Sequence, residues 1–297
     1  MNDNITRVAI LVRQEDPHVT ELMNLLVAHL TKAGVSVFAS DELSAHPDIQ
    51  RRPEAELAAN ADLMIAIGGD GTMLYAGRLL QGSNVPLLGV NRGRLGFLAD
   101  VSPDAMLDSV NHILQGNSTL ESRVQLEAHL QSASGKSVRA VALNDVVLQR
   151  DATGRMLDVV TSVDGNHLNT QSGDGLIVAT PTGSTAYALS CGGPLIEPSL
   201  GVVVVVPICS HTLTVRPIVI PASQVITVRV LERQDTNAEV VIDGNAIGTI
   251  GPADVLVIRQ SEQRIQLIHP PDYDFYGILR SKLFWGRDNR VRREGTN

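Results

Sequence analysis

One short segment in the first third of the chain combines glycines, a carboxylate and a hydroxyl in a pattern that suits phosphoryl chemistry. The apolar run Leu63 to Ile67 leads into Gly68-Gly69-Asp70-Gly71-Thr72, and a helical pattern follows from Thr72. This order predicts a strand, a tight turn and a helix. Glycines let a phosphate approach the backbone, and a helix N-terminus attracts an anion. A carboxylate repels a phosphate unless it binds a metal ion or accepts a proton, so Asp70 indicates phosphoryl transfer rather than simple phosphate binding.

Taken alone, this segment also fits an ordinary strand-to-helix turn. It is not a dinucleotide-binding fingerprint, because Leu74 stands where the third glycine would be. The chain also has no GxxxxGK[ST] run, which excludes a P-loop enzyme. A kinase with this sequence must therefore hold its phosphates by another device.

A second group of polar residues is the pair Asn144-Asp145, which follows the apolar residues 141–143. An amide next to a carboxylate suits a base edge and ribose hydroxyls. The same two residues are also common in turns, so the pattern leaves both interpretations open.

The third candidate segment, residues 174–190, reads as a strand, a hydroxyl-rich turn and a short helix. Ser184 or Thr185 is predicted to cap that helix. The turn has more hydroxyls than capping needs, and hydroxyls with helix-start amides form an uncharged site for an anion or a nucleotide. Tyr187 could stack on a base or pack inside the protein.

Two kinds of pattern divide the chain and predict the fold class. Up to about residue 101, strands alternate with helices, which predicts an α/β domain with a mostly parallel sheet. Beyond that point many short apolar runs are separated by turn residues, which predicts a β-rich, sandwich-like C-terminal domain. The strands are predicted at 7–12, 35–39, 63–67, 85–90, 123–130, 138–148, 157–163, 175–179, 202–206, 225–231, 238–242, 255–258 and 265–268. Helices are predicted near 19–33 and 103–114.

Composition narrows the class of protein. The 297 residues are 43% hydrophobic and carry a formal net charge of −8, which argues against broad binding to nucleic acid or to anionic membranes. The two cysteines form no CxxC motif, and so few thiols fit a reducing compartment. No signal-peptide pattern opens the chain, and the apolar run 202–206 is too short to cross a bilayer. We expect a cytoplasmic protein that binds neither nucleic acid nor membrane.

Several segments, in this order, resemble bacterial NAD kinases of the ATP-dependent family. The matching segments are 68–72, Asn91-Arg92-Gly93-Arg94-Leu95-Gly96-Phe97-Leu98, Asn144-Asp145, 174–190 with its Thr-Pro-Thr-Gly-Ser-Thr-Ala-Tyr core, His269-Pro270-Pro271-Asp272-Tyr273 and Lys282-Leu283. The glycine-aspartate motif alone is shared with lipid kinases and is similar to that of phosphofructokinases. The 174–190 segment is more specific to NAD kinases.

The resemblance implies transfer of the γ-phosphoryl group of ATP to the 2′-hydroxyl of the adenosine ribose of NAD, which produces NADP and ADP. It also implies that Mg²⁺ or another divalent metal accompanies ATP, and that the chain forms a homo-oligomer, a dimer or tetramer. The implied domains are an α/β nucleotide-binding domain, 1–101, and a β-rich NAD-binding domain, 102–272. The segment from about 273 to 297 is expected to return to the first domain.

The resemblance also assigns residues. Asp70 matches the catalytic aspartate, and Asp70 and Gly71 match positions that contact substrate. Asn144 and Asp145 match the pair that holds the adenosine and ribose groups of NAD, although many family members carry Glu at the position of Asp145. The further predicted NAD contacts are Arg155, Ser172, Asp174, Thr182, Thr185, Ala186, Tyr187, Ala188, Leu189, Ser190 and Asn245. No protein ligand for a metal is predicted.

Two other functions fit part of the pattern. A lipid kinase could use the same glycine-aspartate loop, but it should show an apolar pocket or a membrane-binding surface, and the sequence has neither signature. A non-catalytic NAD-binding regulator would bind NAD without making NADP. Asp70 in the turn argues against the regulator.

Overall fold

The computed structural model describes residues 5–13, 17–43, 46–150, 156–232 and 238–285. As far as it is described, the chain divides into two compact units. The first contains residues up to 79, residues 85–120 and residues from 268 on, and the second contains residues 80–84 and 121–267. The domain boundaries near residues 101 and 272 stay predictions from the sequence.

The first unit is built on parallel strands. Its first elements are β1 (Arg7–Val12), α1 (Pro17–Lys32), β2 (Ser36–Ser40), β3 (Ile49–Arg52), α2 (Leu57–Asn60), β4 (Leu63–Ile67), α3 (Asp70–Leu79), β5 (Leu87–Val90) and α4 (Met106–Leu114). The strand order is β3-β2-β1-β4-β5, with parallel pairing throughout. All residues of β4 and β5 are buried, because parallel sheets are covered on both faces.

The second unit contains most of the antiparallel strands. The remaining elements are β6 (Thr119–Gln131), β7 (Ser137–Ala142), β8 (Asp145–Arg150), β9 (Leu157–Val163), β10 (Asn166–Gly173), β11 (Gly175–Ala179), α5 (Tyr187–Ser190), β12 (Val202–Ile208), β13 (Ile218–Pro221), β14 (Ile226–Val230), β15 (Ala238–Ile242), β16 (Asn245–Ile250), β17 (Val255–His269) and α6 (Phe275–Leu283). The last two residues of β17 and all of α6 belong to the first unit.

The strands of the second unit form two layers. One layer has the order β10-β9-β14-β17, with β6 paired to β17 and to β7, and the other has the order β13-β12-β11-β8-β15-β16. Val159 and Val228 of the first layer share one hydrophobic core with Val178 and Val240 of the second. Two antiparallel sheets that bury their facing side chains form a sandwich. The predicted fold class, an α/β part followed by a β-rich part, is confirmed.

Several predicted elements need correction. The apolar run 138–148 forms two strands, β7 and β8, with a break at Leu143-Asn144, and the runs 255–258 and 265–268 belong to the single strand β17. The strands β3, β10, β13 and β16 were not predicted. Helix α3 begins at Asp70 rather than at Thr72. No helix in the described ranges has both the length and the apolar character that crossing a bilayer requires.

Candidate active site

The glycine-aspartate turn joins β4 to α3. Gly68 and Gly69 lie between the last residue of β4 and the first residue of α3. A Cβ atom at Gly68 would lie 2.2 Å from Thr72 Oγ1, so only glycine fits there. The carbonyl of Gly69 accepts hydrogen bonds from the amides of Thr72 and Met73, at 2.9 and 3.3 Å. The sequence signal for this turn is local, and the structure contains the predicted strand, turn and helix.

A cavity of about 300 Å³ opens beside this turn. Its lining includes Gly68, Gly69, Gly71 and Thr72 of the turn, together with Arg13 and Arg92. A second cavity of about 360 Å³ shares Gly69 and Arg92 with the first and adds His18 and Arg94. Guanidinium groups and a helix N-terminus both favour phosphate oxygens. The first unit therefore offers a cationic cavity next to Asp70.

Arg13, one of the two arginines in the first cavity, packs against an aromatic ring. The Arg13 guanidinium carbon lies 4.6 Å from the centroid of the Tyr75 ring, and Arg78 approaches the same ring at 5.2 Å. The hydroxyl of Tyr75 donates a hydrogen bond to Glu54. A cation over an aromatic face is attracted by the ring's quadrupole, so Tyr75 restrains the Arg13 side chain at the cavity.

The Asp70 carboxylate is fixed by three consecutive backbone amides. Its Oδ2 accepts a hydrogen bond from Phe97 N at 3.0 Å, and its Oδ1 accepts from Leu98 N and Ala99 N at 2.9 and 3.2 Å. Amide donors stabilise the negative charge of the carboxylate. A carboxylate oxygen has about two acceptor positions, so Oδ1 is filled while Oδ2 can accept one more donor. Asp70 therefore has a defined orientation and one acceptor position that no donor among the described residues fills.

The residue that makes this orientation possible is Gly96. A Cβ atom there would lie 2.2 Å from Asp70 Oδ1. Gly96 N also donates to Ala99 O at 3.0 Å and closes the turn that presents the three amides. Residues 91–98 form one of the segments that carry the family resemblance, but their contact with Asp70 could not be predicted from the sequence. That connection depends on the pairing of β4 with β5, which brings the segment after β5 to Asp70.

In the second unit, Asn144 lies between β7 and β8, and Asp145 is the first residue of β8. The Asp243 carboxylate accepts hydrogen bonds from the amides of Leu143, Asn144 and Asp145, at 2.8, 2.8 and 3.1 Å. The Asn144 carbonyl accepts one from Thr180 N at 2.9 Å. The Asn144 backbone is therefore held on both sides, and its side chain projects from a fixed base. Asp243 is not among the site residues predicted from the sequence.

The hydroxyl-rich turn contains a 3-10 helix, Thr182–Thr185, followed by α5. Ser184 Oγ donates to Pro181 O at 2.6 Å and accepts from Ile196 N at 3.0 Å. Thr185 Oγ1 donates to Thr182 O at 3.0 Å. Neither residue caps α5, whose N-cap is Ala186 without a side-chain bond, so the predicted capping role is wrong. These hydroxyls hold the turn's own backbone instead.

Thr182 has a buried partner that the sequence did not reveal. Arg123, 2% exposed, donates from Nη1 to Thr182 Oγ1 at 3.2 Å and pairs through Nη2 with Glu121 at 2.6 Å. Gly183, the next residue, packs so closely that an added Cβ would lie 2.1 Å from Asn144 O. The structure therefore brings Thr182 and Asn144 together. Asn245 is linked to Asn144 through Asp243. Asn245 Nδ2 donates to Asp243 O at 2.9 Å, and the Asp243 carboxylate accepts from Asn144 N.

Ser172 and Asp174 lie at the opposite end of β11. Asp174 precedes this strand and Thr180 follows it, a separation of about 20 Å at the usual rise per residue. Asp174 Oδ1 forms an ion pair with Arg150 Nε at 2.8 Å, and Ser172 Oγ donates to Asp158. Burial, together with the charges of Cys191, Cys209 and Asp174, raises the pKa of the Tyr187 hydroxyl.

The other predicted contacts differ in exposure. Tyr187 is 42% exposed, whereas the Ala188 side chain is fully buried in a core cluster with Ile177 and Val206. Ala188 can therefore offer a ligand only its backbone. Ser190 is exposed. Arg155 lies outside the described residues.

Asp145 is the most perturbed carboxyl group of the candidate site. Its side chain is 5% exposed. Burial raises its pKa from 3.8 to about 7, and the nearby charge of Asp243 adds to the increase. Both effects disfavour the ionised form. A carboxyl group kept partly protonated near neutral pH is typical of functional sites.

This pKa predicts a stability change for Asp145→Asn. Between pH 4 and pH 7 the unfolded chain loses this proton while the folded chain retains it, so the free energy of unfolding falls as pH rises through that window. Three pH units correspond to roughly 4 kcal/mol. We expect Asp145→Asn to stabilise the protein by a few kcal/mol at pH 8 and to have little effect at pH 4. Urea unfolding at both pH values measures this, and an equal effect at both would contradict it.

Comparisons with known proteins bear on the identity of the chain. Residues 8–118 match the family model of the ATP-NAD kinase N-terminal domain, and residues 143–270 match that of the ATP-NAD kinase C-terminal domain. The NAD kinase of Aromatoleum aromaticum is 38% identical, with 98% of this chain and 97% of the relative covered. The NAD kinase of Nitrosococcus oceani is 39% identical, with 94% and 97% covered.

The chain belongs to the NAD kinase family. The N-terminal family model includes Asp70 and the three amides that hold it, and the C-terminal model includes Asn144, the hydroxyl-rich turn and Asp243. In this NAD kinase, each matched part therefore contains a carboxylate that accepts hydrogen bonds from three consecutive amides. These carboxylates are Asp70 in the N-terminal part and Asp243 in the C-terminal part.

Two solved structures resemble the fold. An NAD kinase from Archaeoglobus fulgidus in complex with ATP is 27% identical and superposes with a TM-score of 0.73, covering 93% of this chain and 99% of its own. Yeast NADH kinase complexed with NADH superposes with a TM-score of 0.89 at 23% identity, covering 98% and 90%. The yeast protein shows that the chain has an NAD kinase fold.

Proposed function

We propose that this NAD kinase transfers the γ-phosphoryl group of ATP to the 2′-hydroxyl of the adenosine ribose of NAD, producing NADP and ADP. The observation that carries the proposal is the Asp70 carboxylate, fixed by three backbone amides beside a glycine turn and a cavity lined by Arg13 and Arg92. The family match and the curated relatives, which are NAD kinases, support it. They give no support to the lipid kinase or to the non-catalytic regulator.

We assign the phosphates of MgATP to the cationic cavity of the first unit. The described residues include no group of three or more His, Cys, Asp or Glu side chains that could hold a metal. Mg²⁺ usually binds phosphate oxygens with only one or two protein carboxylates, so the metal is proposed to enter with ATP as part of the substrate. Mg²⁺ on the phosphates neutralises charge that develops during the transfer.

Asp70 is proposed to act on the attacking hydroxyl. The free acceptor position of Oδ2 takes the hydrogen bond of the ribose 2′-hydroxyl. As the bond from that oxygen to the γ-phosphorus forms and the bond to the leaving ADP oxygen breaks, the proton passes to Oδ2. Because a carboxylate is a weak base, alignment and charge stabilisation supply most of the rate enhancement.

The NAD contacts of the second unit are proposed from the resemblance. Asn144 and Asp145 hold the adenosine and its ribose hydroxyls, and the fixed backbone of 143–145 supports this role. The further proposed contacts are Gly71, Arg155, Ser172, Asp174, Thr182, Thr185, Ala186, Tyr187, Ala188, Leu189, Ser190 and Asn245.

The proposed role of Asn144 predicts a selective loss of NAD affinity. Asn144→Ala removes the amide but keeps the backbone, so one or two hydrogen bonds to NAD are lost. We expect KM for NAD to rise about tenfold while KM for ATP changes little. Initial-rate kinetics with each substrate varied in turn measure both constants. Asn117→Ala, at an exposed loop residue of the first unit, is the matched control, and an unchanged KM for NAD in Asn144→Ala argues against the contact.

The proposed activity has a direct assay. Purified protein is incubated with MgATP and NAD, and NADP is measured with an NADP-specific dehydrogenase. NADP formation that requires ATP supports the proposal, whereas NAD binding without NADP formation would support the regulator instead. Replacing Mg²⁺ by EDTA should abolish the signal.

The remaining proposals concern assembly and location. We propose self-association into a dimer or tetramer, as the resemblance implies. The predicted NAD contacts lie at opposite ends of β11, which supports an arrangement in which more than one copy contributes contacts to a bound NAD. Sedimentation equilibrium of the purified protein tests this assembly. A cytoplasmic location is proposed from the composition.

A further inference from the structure

The second unit contains two hairpin turns with the same sequence, Asp-Gly-Asn. Asp164-Gly165-Asn166 joins β9 to β10, and Asp243-Gly244-Asn245 joins β15 to β16. Asp164 and Asp243 have φ angles of 49° and 46°, and the following glycines both have 78°. Positive φ at both positions identifies the two-residue turn that suits a β-hairpin. Both turns therefore have the same backbone, and differences between them lie in what the aspartates contact.

The two aspartates have different partners. Asp164 Oδ1 accepts a hydrogen bond from Val225 N at 2.9 Å. Asp243 accepts three, from the consecutive amides of Leu143, Asn144 and Asp145. The Asp243 charge also raises the pKa of buried Asp145, which is unfavourable for the fold. A hairpin turn alone does not need that placement.

We infer that Asp243 is a positioning residue for NAD: it fixes the 143–145 backbone from which Asn144 and Asp145 reach the adenosine. The inference rests on the proposed NAD contacts of those two residues. On the other side of the same segment, Thr180 Oγ1 donates to Leu143 O at 2.5 Å and Thr180 N donates to Asn144 O at 2.9 Å. The Asn144 peptide groups are thus held by Asp243 and Thr180, and binding NAD requires little further ordering of the backbone.

The test compares Asp243→Asn with Asp164→Asn, the same substitution in the matched turn. An asparagine nitrogen cannot accept a hydrogen bond, so Asp243→Asn loses at least one of the three amide bonds. We expect KM for NAD to rise about tenfold, while KM for ATP changes less than about twofold. Asp164→Asn should leave both constants at their parent values. Equal changes in both KM values, or an unchanged KM for NAD, would overturn the inference.

A double variant separates this inference from the proposed function. If Asp243 acts through Asn144 and Asp145, then Asn144→Ala combined with Asp243→Asn should raise KM for NAD by clearly less than the product of the two separate effects. Independent multiplication of the two effects overturns the positioning role. If Asn144→Ala itself leaves KM for NAD unchanged, the proposed contact fails, whatever Asp243 does.

Thr180 supplies a second route should Asp243→Asn fail to fold. Thr180→Val keeps the shape but removes the hydroxyl that holds Leu143 O, so it should also raise KM for NAD selectively. Thr180→Ser keeps the hydroxyl and should retain the parent KM. Circular dichroism confirms that each variant is folded. A folded Thr180→Val with the parent KM for NAD contradicts the inference.

Discussion

Replacing Asp70 by asparagine is expected to lower kcat for NADP formation by roughly 10²–10⁴-fold, the range typical for loss of a general base. The amide nitrogen of asparagine cannot take a proton from the ribose hydroxyl. Its oxygen can still accept the two amides that Oδ1 now accepts, from Leu98 and Ala99. We therefore expect the fold to persist and KM for NAD and ATP to change much less than kcat.

Steady-state kinetics over a range of both substrates measure this effect. Asp104→Asn, the same change at an exposed acid of the first unit, is the control and should leave kcat unaltered. Equilibrium binding of NAD to Asp70→Asn distinguishes loss of chemistry from loss of binding. NADP formation by Asp70→Asn at a rate near that of the parent would show that Asp70 is not a catalytic residue.

Gly96→Ala should displace the Asp70 carboxylate and so lower kcat, although Asp70 itself is not substituted. The added Cβ would lie 2.2 Å from Asp70 Oδ1, and 3.1 Å from Ala99 N. The carboxylate or the 96–99 turn must therefore move. Because a misplacement of about 1 Å can cost on the order of 10²-fold in rate, we expect kcat to fall by about that factor while Asp70 is still present.

Gly201→Ala is the matched control, since an added Cβ at Gly201 meets nothing within 4 Å. Circular dichroism and thermal unfolding establish whether Gly96→Ala is folded. A folded Gly96→Ala with parent kcat would show that the orientation of Asp70 imposed by the 96–99 turn is not needed. Combining Gly96→Ala with Asp70→Asn should add little to the loss caused by Asp70→Asn alone.

The elements that the sequence predicts well have local signals. β4 and the turn after it could be predicted because five apolar residues end at two glycines. β10, in contrast, reads Asn-His-Leu-Asn-Thr-Gln-Ser-Gly and is a strand because it pairs with β9 across the Asp164 hairpin. The break at Leu143-Asn144 was also missed, because the long-range bonds from Asp243 and Thr180 impose it.

The residues of the candidate site also fall into two groups, those predicted from short motifs and those found only from long-range contacts. The resemblance predicts roles for Asp70, Asn144 and Asp145, which belong to short motifs in the sequence. It did not predict that Asp70 contacts residues 27–29 positions away, or that Asp243 contacts residues 98–100 positions away. Those contacts depend on which strands become neighbours, and no periodicity within a segment contains that information. The residues that hold the site in place were therefore found only in the structure.

The central claim is that the Asp70 carboxylate acts on the 2′-hydroxyl of the adenosine ribose. A crystal structure of the protein with bound NAD tests it most directly. We expect Asp70 Oδ2 to lie within hydrogen-bond distance, about 2.6–3.2 Å, of the ribose 2′ oxygen, with Oδ1 still bound to the amides of Leu98 and Ala99. A bound NAD whose 2′ oxygen lies well beyond hydrogen-bond distance of Asp70 and contacts another base would contradict the claim.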